Sequence, residues 1–82
     1  METKERLEQI FRDVFDDDGL NISDEMIIAD IERWDSFMHV QLVIAIEEAF
    51  GVKFEIAEAV KFKDIGDIRR MLEEKIAANT HN

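Results

Sequence analysis

The fold of this chain is decided by residues 34–52, which read WDSFMHVQLVIAIEEAFGV. Asp35 and Ser36 are residue types that favour helix starts, and a long apolar run follows them directly. Gly51 stands after this run, where helices commonly end in a left-handed residue. The stretch therefore predicts a helix from Ser36 to Phe50.

This helix carries two apolar lines, because its apolar residues fall on opposite sides at about 100° per residue. The first line suits a core face and consists of Leu42, Val43, Ile46, Ala49 and Phe50. The second apolar line consists of Phe37, Val40 and Ile44, with Ser36 at its head and Glu47 and Glu48 at its foot. A small domain can turn only one face of a helix fully inward, so the second line predicts an exposed docking strip. The alternative is a helix buried between neighbours on both sides.

The remaining elements are helical as well. An apolar stripe at helical spacing predicts a first helix through Leu7, Ile10, Phe11, Val14 and Phe15. A second stripe predicts a last helix that starts near Asp64 and runs through Ile65, Ile68, Leu72 and Ile76. Residues 56–60 predict a short helix, and residues 16–35 an irregular loop whose scattered apolar residues pack onto the core. The expected fold is all-α: a single domain over residues 1–82, with three main helices, one short helix, a long acidic loop between helices 1 and 2, and a frayed tail at 78–82.

The charge of the chain limits its partners. Its 82 residues carry a formal charge of −10, and most of that charge lies in residues 13–35. Such a charge opposes binding to nucleic acid and to anionic membranes, and it suits partner proteins with basic patches. With no apolar run long enough to span a membrane, we expect a cytoplasmic monomer.

Composition also weighs against catalysis and metal binding. The chain has no cysteine, and His39 and His81 are far apart, so we expect neither a disulfide nor a metal site. No nucleophile, base and acid are suitably spaced, and three glycines cannot form a phosphate-binding loop, so we expect no enzyme. Residues 16–19 read DDDG like part of a calcium loop, but Val14 would occupy its first ligand position. Weak screening of the acidic loop by divalent ions stays open.

Ser36 has two interpretations. A serine before an apolar run is most often only a helix cap. A helix N-terminus also presents unpaired N–H groups and a positive dipole end, which stabilise a phosphate attached to that serine. The Asp-Ser motif alone does not decide between these roles.

Residues 31–52 resemble the phosphopantetheine attachment region of acyl carrier proteins. In that family an Asp-Ser-Leu motif heads a helix that ends in Glu-Glu-x-Phe-Gly, and this chain ends its helix in Glu-Glu-Ala-Phe-Gly. The order of the helices, the acidic loop and the chain length match over nearly the whole sequence. The resemblance implies a non-catalytic carrier of acyl groups, held as thioesters on a 4′-phosphopantetheine arm.

The same resemblance implies roles for individual residues. Ser36 would receive 4′-phosphopantetheine from coenzyme A through a phosphopantetheinyl transferase, and Asp35 would help that transferase to recognise the site. The expected partners are acyl-transfer, condensing and tailoring enzymes with basic docking patches. The residues expected to contact them, or to line the entrance to an acyl-binding cavity, are Phe37, Val40 and Ile44, with Glu47 and Glu48 meeting basic side chains.

Three departures from the family pattern bear on the pathway. Phe37 replaces the usual leucine, and Met38 and Gln41 stand at positions that are often acidic in fatty acid carriers. Fatty acid, polyketide and related acyl metabolism therefore all stay open. His39 is a further unusual residue, interpreted as a partly exposed polar side chain. The alternatives are an aminoacyl or peptidyl carrier and a helical adaptor that carries nothing.

Overall fold

The computed structural model describes residues 3–79, which form an all-α bundle. Its elements are α1 Thr3–Phe15, a 3-10 turn Ile28–Asp30, α2 Ser36–Phe50, α3 Ile56–Ala59 and α4 Ile65–Asn79. Within these residues the only pairing of β type is one isolated antiparallel bridge between Ile27 and Asp64. The predicted fold class, with three long helices and one short one, is confirmed.

The core is built where the apolar stripes of the three long helices meet. In α1 the buried residues are Leu7, Phe11 and Phe15, as their spacing of four predicts. They pack in one cluster with buried residues of α2 and α4, namely Leu42, Ile46, Ile65, Ile68 and Leu72. Burying each such side chain contributes roughly 1.5–3 kcal/mol, which a domain of this size needs to offset its chain entropy.

The acidic loop packs onto this core, as its apolar residues predict. Ile22 and Trp34 are buried, and the loop residues packed partly against the core are Leu20, Met26, Ile28 and Ile31. The 3-10 turn inside the loop was not predicted, because three residues are too few to show a hydrophobic period. Main-chain hydrogen bonds tie this part of the loop to the start of α4: Ile28 N–H to Lys63 O at 2.9 Å and Ile65 N–H to Met26 O at 3.0 Å.

An ion pair adds a second link between the loop and α4. The Arg69 guanidinium donates to both carboxylate oxygens of Asp24, with Nη2 to Oδ2 at 2.7 Å and Nε to Oδ1 at 2.9 Å. These bonds hold the pKa of Asp24 below its usual value. Gly66 lets the two segments approach, because a Cβ at that position would lie 3.1 Å from the main-chain oxygen of Asp24.

The ends of the helices follow local chemistry. Gly51 ends α2 with φ of 67°, as predicted, and its N–H donates to Glu47 O at 2.9 Å. The start of α4 has one half of a capping box: Asp64 Oδ1 accepts from Asp67 N–H at 2.8 Å. The carboxylate of Asp67 accepts instead from Lys63 N–H at 2.9 Å. A true capping box, not predicted, joins Glu55 and the third residue of α3.

The C-terminal end is longer than expected. Helix α4 continues through residues 78 and 79, which the sequence assigned to a frayed tail, because alanines continue a helix readily. The rest of that tail, with His81, lies outside the described residues. None of the helices in residues 3–79 has the length and apolar character needed to cross a membrane. In the same range, no group of three or more acidic or histidine side chains could hold a metal ion.

Candidate site at the start of the second helix

Ser36 is the first residue of α2, and its side chain is exposed. Asp35 precedes it in extended conformation and is the N-cap, since its Oδ1 accepts from Met38 N–H at 2.9 Å. The main-chain oxygen of Asp35 accepts from His39 N–H at 2.9 Å and so begins the helical ladder. The predicted start of α2 is therefore confirmed, and the serine hydroxyl projects from a capped helix end.

This helix end suits an anionic substituent on the serine. The N–H groups of Ser36 and Phe37 belong to the first turn, which has no acceptors within the helix. The helix dipole adds a partial positive charge at the same end, which favours a phosphate. An exposed hydroxyl at this position fits attachment of a phosphate-linked arm, and Ser36 is the residue that would hold it.

Trp34 anchors the turn before Ser36 to the core. The indole is buried, and its centroid lies 5.4 Å from that of Phe11 and 5.5 Å from that of Phe15. Its Nε1–H donates to His39 Nδ1 at 3.0 Å. The side chain two residues before the serine is thus fixed in the core, which restricts the position of the serine itself.

The structure gives His39 more contacts than the sequence indicated. The imidazole is half-buried, and its Nε2 lies 2.9 Å from Ala59 O in addition to the indole contact at Nδ1. The contact between His39 and Trp34 could have been predicted from the sequence. Trp34 precedes the N-cap and His39 is the fourth helical residue, which are the two positions that pack together in a hydrophobic staple.

The second apolar line is exposed, which decides between the two interpretations of α2. The exposed fractions of its side chains are 67% for Phe37, 56% for Val40 and 47% for Ile44. The opposite side of the helix contributes Leu42 and Ile46 to the core. An apolar surface of this kind, beginning beside Ser36, has the character of a protein-binding surface.

The two glutamates at the foot of this line differ in their surroundings. Glu47 is half-buried, and its Oε2 accepts from Phe54 N–H at 2.8 Å. Its carboxylate therefore supports the connection between α2 and α3. Glu48 is exposed and borders a shallow groove between α1 and α2 together with Ile44. Of the two, Glu48 is the carboxylate free to meet a partner.

Two further apolar residues, Ile56 in α3 and Val60 directly after it, are exposed, and sequence reasoning did not identify them. Ile56 and Val60 have exposed fractions of 84% and 71%. Their spacing of four places them on one side of the short helix. The shortness of this segment indicated that exposure, since a single helical turn can hardly bury an apolar stripe of its own.

An apolar cavity of about 230 Å³ lies away from this surface, between the end of α1 and the acidic loop. Its apolar lining consists of Phe11, Phe15, Leu20, Ile22, Met26, Ile31 and Ile65. None of the three residues of the second apolar line is among the residues that border it. The exposed line and the cavity are therefore separate features.

Comparison with known proteins agrees with this geometry. The sequence model of a family described as "Phosphopantetheine attachment site" matches residues 5–72. An acyl carrier protein of Thermosynechococcus vestitus is 32% identical over 77 residues, covering 94% of this chain and 95% of the relative. The solution structure of holo acyl carrier protein from Geobacter metallireducens superposes with a TM-score of 0.89 at 36% identity, covering all of this chain and 95% of that one.

The fold and the serine-headed helix define a small helical carrier domain. The chain belongs to the acyl carrier protein family. Its cofactor is covalently attached phosphopantetheine, and it is not itself catalytic. Membership also implies that a phosphopantetheinyl transferase and acyl-processing enzymes act on it.

Proposed function

We propose that this chain carries acyl groups on a 4′-phosphopantetheine arm attached to Ser36 and presents them to enzymes of fatty acid, polyketide or related acyl metabolism. The observation that carries the proposal is the position of Ser36, exposed at the capped N-terminus of α2 and at the head of an exposed apolar line. Once attached, the arm supplies a thiol that bears the acyl group, so the chain needs no cysteine of its own.

The protein contributes attachment and presentation. The first turn of α2 and its dipole stabilise the phosphate linked to Ser36. Trp34 holds the preceding turn against the core, so the serine is presented at a fixed place. Asp35 has two roles in this proposal, as the cap of α2 and as a recognition residue for the transferase.

The docking surface consists of the second apolar line and Glu48. Phe37, Val40 and Ile44 offer apolar contact area, while the exposed carboxylate of Glu48 attracts basic side chains of a partner. Glu47 was predicted to share this role, and its bond to Phe54 N–H makes it a poorer test residue, because removing it also perturbs the fold.

Attachment at Ser36 is tested by intact-mass spectrometry. The purified chain is incubated with coenzyme A and a broad-specificity phosphopantetheinyl transferase. We expect one phosphopantetheine on the wild type and none on Ser36→Ala. Ser23 is the only other serine, so Ser23→Ala is a matched control and should load normally. Loading of Ser36→Ala, or no loading of folded wild type by several transferases, would contradict the proposal.

The docking surface is tested by a charge reversal. Glu48→Lys should weaken binding to a basic partner such as the transferase and reduce the dependence of the association rate on salt. Glu74→Lys is the matched control, because Glu74 is also exposed but lies on α4. Equal effects of the two reversals would show that only net charge matters and would remove Glu48 from the docking surface.

A further inference from the structure

Helix α3 has few means of holding its position. It is a single turn, Ile56–Ala59, without a buried residue, and Ile56 itself and the following Val60 are exposed. Hydrophobic burial therefore contributes little to keeping this turn against the bundle. Phe54 and Phe62 pack against the core on either side of it, and the turn itself is held at its C-terminal half, where Glu58 pairs with Lys75 at 2.8 Å and Ala59 O meets a ring nitrogen of His39.

The two contacts differ in how strongly they hold α3. The Glu58–Lys75 pair is partly exposed, with side-chain exposed fractions of 29% and 23%, and such ion pairs contribute little in water. The contact between His39 and Ala59 joins a half-buried side chain to a main-chain oxygen at 2.9 Å across 20 residues of sequence. It is the link that connects α3 directly to the first turn of α2, three residues after Ser36.

The partners of His39 determine its tautomer. The indole Nε1 of Trp34 is a donor only, so Nδ1 of the imidazole must accept. The main-chain oxygen of Ala59 is an acceptor only, so Nε2 must carry the proton and donate. Both bonds form at once only in the neutral ring protonated at Nε2, and an imidazolium has no lone pair left for Trp34.

The ring also lies between two aromatic groups. On one side the Trp34 ring centroid is 5.9 Å away, and Trp34 packs in turn against Phe11 and Phe15 of α1. On the other side Phe62, just after α3, has its centroid 6.1 Å away. His39 therefore connects three segments: the turn that precedes Ser36, the first turn of α2, and the end of α3.

We propose that His39 is a positioning residue that holds α3 in one arrangement against the first turn of α2, so that partner enzymes meet a preformed surface of both helices. This inference rests on the proposed function of Ser36. Trp34 sets the position of the ring, and the ring in turn sets the position of α3 through Ala59. Without the bond to Ala59, α3 spends part of its time away from the bundle, and only the remaining fraction of molecules is competent to bind.

Two substitutions each remove one of the two hydrogen bonds that the His39 imidazole makes. His39→Asn retains an acceptor near the place of Nδ1 for the indole but cannot reach Ala59. His39→Gln retains an N–H near the place of Nε2 for Ala59 but removes the acceptor at Nδ1. The proposal assigns the functional effect to the first substitution, and Gln is the conservative variant that should rescue it.

The first measurement uses the wild-type chain without attached phosphopantetheine. Nitrogen-15 spectra of the His39 ring in the folded chain should show the tautomer protonated at Nε2. The indole N–H of Trp34 should exchange slowly with solvent. A ring protonated at Nδ1, or rapid averaging of tautomers, would overturn the proposal even if Ser36 is loaded normally.

The second measurement compares exchange in α3 with the kinetics of loading. In His39→Asn the amide of Val60, which bonds to Ile56 O, should exchange with solvent roughly two- to tenfold faster. This factor corresponds to the net free energy of one hydrogen bond. KM for the transferase should rise in inverse proportion to the competent fraction while kcat is unchanged, because only that fraction has changed. His39→Gln should give values closer to the wild type than His39→Asn does, because it keeps a donor for Ala59 O.

A matched control separates positioning from stability. Gly66→Ala lies at the start of α4 and is expected to destabilise the fold without touching α3. If it raises KM as much as His39→Asn does, or if His39→Asn changes neither Val60 exchange nor KM, the positioning role is wrong. If wild type is never loaded, the proposed function fails, and the ring tautomer with Val60 exchange still decides whether His39 holds α3.

Discussion

Asp35 offers a way to separate stability from recognition at the proposed modification site. Its Oδ1 accepts from Met38 N–H at 2.9 Å, and its backbone is extended, with φ −102° and ψ −174°. Replacing such a cap by alanine costs about 1 kcal/mol, because an N–H of the first turn loses its partner. For a domain of this size that corresponds to a fall in Tm of roughly 4–8 °C.

Asparagine at the same position should behave differently. Asp35→Asn keeps an oxygen where Oδ1 accepts from Met38 N–H, and asparagine caps helices about as well as aspartate. The lost charge removes part of the interaction with the helix dipole, a few tenths of a kcal/mol at an exposed site. We therefore expect Asp35→Asn to lower Tm by at most about 3 °C.

Loading by a phosphopantetheinyl transferase provides the second readout. If the charge of Asp35 is recognised, Asp35→Asn should load several-fold more slowly than wild type despite its intact fold. Asp64→Asn is the matched control, since Asp64 caps α4 through the same kind of bond, Oδ1 to Asp67 N–H at 2.8 Å. It should load at the rate of the wild type.

Tm is measured by circular dichroism during thermal unfolding. The rate of phosphopantetheine loading is measured as the initial rate of mass increase in intact-mass spectra. An unchanged Tm for Asp35→Ala would refute the capping argument, because the bond to Met38 N–H would then contribute nothing. Wild-type loading of Asp35→Asn would refute the recognition role and leave Asp35 as a cap only.

Three further predictions concern the stability of the fold. Gly51→Ala should cost about 1 kcal/mol in urea denaturation, because φ of 67° strains any side chain although nothing lies within 4 Å. Gly19→Ala, without a left-handed φ, should be nearly neutral, and equal losses would contradict the strain argument. Gly66→Ala should also destabilise by about 1 kcal/mol, since its Cβ would meet the main-chain oxygen of Asp24 at 3.1 Å, and a stabilised variant would show that helix propensity outweighs this contact. Asp24→Asn should lower Tm at neutral pH. Arg69 holds the pKa of Asp24 below 3.8, so the contribution is present above that value and is lost as pH falls through the folded-state pKa. The difference in Tm between wild type and Asp24→Asn should therefore vanish in acid, and a difference that persists there would assign the effect to packing.

Local chemistry explains why much of the fold could be predicted. The stripe of α1, the start of α2 at Ser36 and its end at Gly51 all depend on residues within one or two turns of each other. Periodicity and capping act over that range, so one sequence contains the information. The Asp-Ser pair before an apolar run is also a local pattern, and it placed Ser36 at a helix start, whereas the attachment role proposed for Ser36 came from the family resemblance.

The sequence by itself therefore determined the helices, their order and the position of Ser36 at a helix start. Only the tertiary structure decided which side of α2 is covered, that Glu47 turns to Phe54 while Glu48 stays exposed, and that His39 reaches Ala59. The reason is physical: periodicity states which residues share a face, whereas burial depends on what packs against that face. Contacts such as that between Asp24 and Arg69, 45 residues apart, exist only once the helices have assembled.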